Sequence, residues 1–145
     1  MKGQVSTELL VIVGLILLVF IPLLTLVYFK ANESTQQIGS YQTELAVFRI
    51  AYLANSVGAL GTNTTVYTDV FVPQNVRSFK AKNTGSGGEI TMIVDTPQGQ
   101  SEVVEIVKYP IVGEIPVSGT QGGWTRIKIT ALNDNGGVNV KIEKA

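Results

Sequence analysis

The sequence predicts an α+β fold: a long hydrophobic N-terminal α-helix, the stalk, followed by an all-β antiparallel head, a sandwich or small barrel. Three observations predict it. An uncharged apolar run extends from Leu9 to Phe29. A stripe of large apolar residues at spacings of three and four carries the helical pattern on to Tyr52. From residue 64 the period drops to two, with turn residues between short runs.

The first run is 21 residues long. At ~1.5 Å per residue it spans about 31 Å, the hydrocarbon thickness of a bilayer. A secretory signal has a shorter apolar region and a small-x-small cleavage site, whereas this run ends at Lys30-Ala31-Asn32-Glu33. Gly14 and Pro22 interrupt it. Pro22 has no N–H for the Leu18 carbonyl, so a kink is expected there, tolerated in a membrane helix.

Beyond Phe29 the stripe Ile38, Tyr41, Leu45, Phe48 and Tyr52 has spacings of 3, 4, 3 and 4. Gln36, Gln37, Ser40, Gln42, Thr43, Glu44 and Arg49 lie between its members. The expectation is that this stripe seats the helix on the head as ordinary core packing. Gly58 and Gly61 supply a stop. One helix of about fifty residues results, apolar over residues 9–29 and amphipathic over 30–57. The domain reading is a leader at 1–3, a helix at 4–60 and a head at 61–145.

In the head, Val66 to Val72 alternates and ends at Pro73. Arg77 to Lys82, Glu89 to Thr96, Glu102 to Tyr109, Val112 to Val117, Trp124 to Leu132 and Val138 to Glu143 follow as strands. Gly113 and Pro116 mark the fifth of these as an edge strand. Asn133 to Gly137 reads as a hairpin loop. Six or seven short strands at this turn frequency give the antiparallel head.

Composition closes off several functions. The chain has 145 residues, 45% of them hydrophobic, with 11 basic and 11 acidic side chains. No Lys/Arg cluster offers a footing for nucleic acid. Cys and His are both absent, which removes the thiolate nucleophile, the disulfide framework and the commonest general base and transition-metal ligand. Glu102 and Glu105, odd-spaced in one strand, point to opposite faces and make a poor catalytic pair. The Gly-rich stretch 85–88 lacks the Lys-Ser/Thr of a phosphate loop and reads as a turn. No catalytic residue, cofactor or metal is expected, and the chain does not read as an enzyme.

What stands out is the chemistry ahead of the apolar run. Glu8 places a carboxylate at its mouth, where an ionised group is costly and calls for a partner. The residues Gly3-Gln4-x-Ser6-x-Glu8, directly before a membrane-length helix, resemble the class III signal peptide of archaeal type IV pilins. The pattern of that family is Gln-x-Ser-x-Glu-x-x-x-Leu; here Gln4, Ser6 and Glu8 match and Ile12 stands at the Leu position. The resemblance covers roughly the first thirty residues. It implies that a prepilin peptidase cuts between Gly3 and Gln4 and leaves the apolar helix on the mature chain. Removal of Lys2 would leave the side chains at a net −1, 10 basic against 11 acidic. The new α-amino group on Gln4 would lie four residues from Glu8, about 6 Å along a helix. Two helices offset by that rise can pair the amine of one with the carboxylate of the other.

The resemblance implies further partners: an assembly ATPase and a membrane platform protein. The expected product is a self-associated surface filament that supports adhesion. Its precursor sits in the cytoplasmic membrane with Met1 inside and the head outside. The rival reading is a single-pass anchored ectodomain that binds an extracellular ligand without polymerising. Two sequons, Asn32-Glu33-Ser34 and Asn63-Thr64-Thr65, are candidate glycosylation sites. Trp124, Tyr67 and Tyr109 are candidate adhesive contacts, with sheet-face packing as the plainer alternative.

Overall fold

The computed structural model describes residues 2–96, 99–116, 122–134 and 136–145, with side chains from Ser6 onward. The class is the expected one. One helix, α1 (Lys2–Leu60), precedes seven strands: β1 (Thr65–Val72), β2 (Val76–Asn83), β3 (Gly88–Thr96), β4 (Gly99–Val107), β5 (Ile111–Ile115), β6 (Gly123–Asp134) and β7 (Gly137–Lys144). The chain divides into two compact units, residues 1–37 and Ile38–Ala145. The second unit holds all seven strands together with the last part of α1.

In the first unit, α1 continues through Pro22. The Thr25 hydroxyl donates to the Ile21 carbonyl at 2.9 Å, one turn back. From Leu9 to Phe29 every large apolar side chain is exposed, between 46% at Val13 and 71% at Leu10.

In the second unit the strands form one sheet in the order β1-β6-β7-β5-β2-β3-β4. All neighbours are antiparallel except β5 and β7, which run parallel. The expected sandwich becomes a single sheet, with the helix where a second sheet would lie. Its core-facing row includes Val70, Phe79, Ile90, Met92, Ile111, Ile127, Ile129 and Ile142, all buried. These join Ala46, Val47, Ile50, Ala51, Ala54 and Val57 of α1 in one hydrophobic cluster. Thr43 is buried too, and its hydroxyl is satisfied by the Gly39 carbonyl at 2.9 Å.

The stripe expected to seat the helix does not do so. Ile38, Tyr41, Leu45, Phe48 and Tyr52 are 56–68% exposed. The buried row Thr43, Val47, Ile50 and Ala54 sits two residues after Tyr41, Leu45, Phe48 and Tyr52. At 3.6 residues per turn, two residues rotate a side chain by about 200°, so the two rows occupy opposite faces. The inner surface of the sheet already carries bulky residues. Helix positions facing it must then be small or medium for the interface to fill without overlap.

Three contacts tie this part of α1 to β1 and to the connection between β4 and β5. Arg49 donates to the Thr68 hydroxyl at 3.1 Å, and the Asn55 side chain accepts the Lys108 N–H at 2.8 Å. The third is steric: Gly58 leaves room for the Tyr109 ring, which a Cβ would strike. Gly58 therefore belongs inside the helix. The stop is Gly61, at φ 92°, whose N–H reaches back to the Gly58 carbonyl at 3.3 Å.

β5 is also placed differently from expectation. It is not an edge strand but lies between β7 and β2, and β1 and β4 form the edges. Pro116 falls just past its last residue, so the missing N–H costs no ladder bond. Gly113 is needed because a Cβ there would collide with the Ile142 carbonyl oxygen of β7. The β6–β7 ladder ends with Asp134 paired to Gly137, so Asn133 and Asp134 of the expected loop lie in β6 and Gly137 lies in β7.

Candidate functional site

The candidate site at the head of α1 is a linear one. Gly3 and Gln4 lie in its helical backbone, and the Gln4 side chain falls outside what the structure describes. Ser6 and Glu8 are exposed on the helix. Thr7, Glu8, Val11 and Ile12 border a shallow cleft on the helix surface. The carboxylate thus sits at the edge of an apolar helix whose side chains have nothing to pack against within their own unit.

The sequons have different settings. Asn63 is exposed in the connection between α1 and β1, at φ 67°, with its N–H on the Ala131 carbonyl at 2.9 Å. Asn shares with Gly a tolerance of this left-handed conformation. Asn32 is exposed on α1 itself.

In the second unit the outer face of the sheet carries ion pairs alongside exposed apolar side chains, among them Tyr67, Val104, Ile106 and Val112. Arg126 meets Asp69 across β1 and β6 at 2.9 Å, and Lys128 meets Glu143 across β6 and β7 at 3.0 Å. Lys141 adds a second cation to Glu143 at 2.8 Å. Hydrogen bonding from Lys141, then from Lys128, holds the Glu143 carboxyl below its ordinary range. Arg126 does the same for Asp69. The Arg126–Asp69 pair is solvent-exposed and the pairs of Glu143 are partly so, which keeps the contribution of each to stability small.

The aromatic candidates separate. Tyr109 is half-buried against the helix, in the packing role. Tyr67 and Trp124 are exposed, at 61% and 71%. Trp124 stands edge-on to Phe71, its cross-strand partner, with ring centroids 5.7 Å apart. Glu105 lies beside Tyr41, Glu44, Leu45 and Phe48 of α1. Sequence reasoning treated that carboxylate only as half of a poor catalytic pair. The alternation within β4 already put it on the helix side, but only the pairing order shows that β4 is an edge. Among the described residues no three acidic side chains gather into a metal-binding group.

Compared with protein-family models, with curated proteins and with solved structures, the chain matches none. α1 is long and apolar enough to cross a membrane by length and composition. Membrane association is thus the coarse placement that the fold supports.

Proposed function

We propose that this chain is a pilin-like structural subunit of an archaeal type IV pilus-like surface filament. In this reading a prepilin peptidase cleaves between Gly3 and Gln4. The assembly ATPase and platform protein then move the subunit from the membrane into a polymer. The observation that carries the reading is a helix apolar on every side from Leu9 to Phe29, headed by Ser6 and Glu8. Such a surface has two kinds of cover, lipid and other apolar helices, and a pilin uses both in turn. The hydrophobic effect hardly distinguishes them, so packing and polar pairing set the preference. Glu8 supplies that pairing by meeting the freed amine of a neighbour, and a head-to-tail contact that never closes grows into a filament. The polymer presents the head for adhesion, with Asn63 the better placed of the two sequons to carry a glycan.

Mass spectrometry of filaments sheared from the cell surface tests this directly. The expected peptide begins at Gln4, and a glycan would add mass to the peptide containing Asn63. Glu8→Ala should leave the chain in the membrane but remove it from the sheared fraction. Breaking a buried ion pair from one side costs about 3–5 kcal/mol. A mature chain that retains Met1 and stays in the membrane after shearing would instead identify an anchored ectodomain.

A further inference from the structure

Leu45 stands at the crest of the outer face of α1 in the second unit, and a groove lies on each side of it. One groove, about 440 Å³, includes Leu45, Arg49, Phe71 and Trp124 in its lining. The other, about 420 Å³, is lined by Tyr41, Glu44, Leu45, Phe48 and Glu105. They flank opposite edges of the sheet, since Phe71 lies on β1 and Glu105 on β4. Their chemistry is opposite as well. The first flank offers a guanidinium and a protruding indole. The second offers two carboxylates around an apolar floor, and among the described residues neither Glu44 nor Glu105 is in an ion pair.

We infer that these flanks are the two halves of a lateral contact between copies of the chain, Trp124 of one copy entering the Tyr41–Phe48–Glu105 groove of the next. The occupant is a second copy because both complementary halves are present on one chain. A buried indole needs an acceptor for its N–H, and Glu105 or Glu44 provides one. Arg49 on the entering flank faces the same acidic groove, and Trp and Arg are the side chains that most often anchor interfaces. Since the halves lie on different flanks, every copy can use both at once. The contact is heterologous and propagates. It also gives the exposed stripe of α1 a cover. The inference rests on the filament reading for its supply of aligned neighbours, but it involves neither Glu8 nor residues 9–29.

The absence of native cysteine makes the test clean. The full-length chain carrying Gly123→Cys, beside Trp124 with open space for a Cβ, and Tyr52→Cys, exposed one turn beyond Phe48, keeps the anchor and its groove. It is produced in its native membrane and treated with a short bis-maleimide. A ladder of dimers, trimers and longer species is expected, while each single-cysteine chain stays monomeric. Dimers from Gly123→Cys alone would reveal a symmetric contact and overturn the inference. Glu44→Arg with Glu105→Arg should cut ladder yield about tenfold, and adding Arg49→Glu should restore it. A yield indifferent to these reversals also overturns it. Filaments that contain the double-cysteine chain but give no ladder dismiss the contact and leave the filament reading standing. A ladder from cells that shed no filaments does the reverse, and loss of both rejects both.

Discussion

Residues 9–29 and residues 38–60 belong to the same helix yet treat their apolar side chains in contrary ways. The first stretch exposes all of its large apolar residues, on every side. The second buries small and medium residues on one face and holds its largest, Tyr41, Leu45, Phe48 and Tyr52, on the other. A stretch that is apolar all round matches an apolar surrounding, whatever its rotation. A stretch that packs on a sheet has one rotation, chosen by how its side chains fit the surface opposite. The comparison shows that size and hydrophobicity alone do not identify the face of a helix that enters a core.

The sharpest way to break this contrast is to truncate one residue from each face of the second stretch. Ile50→Ala removes a fully buried side chain from the helix–sheet core and should destabilise the head by about 2–5 kcal/mol. Phe48→Ala, two residues away, should change it by no more than about 0.5 kcal/mol. Chemical denaturation of the full chain in detergent, followed by Trp124 fluorescence, measures both. Equal losses would mean that the stripe is seated after all.

A second test adds volume. Ala54 is fully buried, and Ala54→Leu should overpack the same interface at a cost of about 1–3 kcal/mol. If the variant is as stable as the parent, the small residues are not what sets the rotation of the helix.

The smallest expected effect concerns the outer sheet face, which the contrast treats as peripheral to stability. Asp69 and Glu143 have folded pKa values below their ordinary values of 3.8 and 4.5. Depressed carboxylates contribute stability that is fully present above the ordinary values and is lost as pH falls through the folded ones. Melting temperature should therefore hold steady from neutral pH down to about 5 and decline only below that. Asp69→Asn together with Glu143→Gln should flatten the decline. A decline that persists unchanged in the double variant would assign the acid sensitivity to other groups.

Much of this was legible in the chain. Alternation and turn residues located every strand, because side-chain period and turn chemistry are local properties. The apolar run announced itself for the same reason, as did Gly3-Gln4-x-Ser6-x-Glu8 just before it. Strand order was not legible. Gly113 and Pro116 read as marks of an edge, but Gly113 answers to a carbonyl of β7, nearly thirty residues later in sequence.

The sequence by itself determined that a membrane-length helix precedes a β-rich head, and the approximate place of each element along the chain, since hydrophobic period and turn residues act over a few neighbours. Only the tertiary structure decided which of two heptad-spaced rows enters the core, and which strands become the edges. Both rows satisfy the helical period equally well. The choice between them is made by the volume that Phe79, Ile90, Met92 and Ile129 already occupy on the sheet.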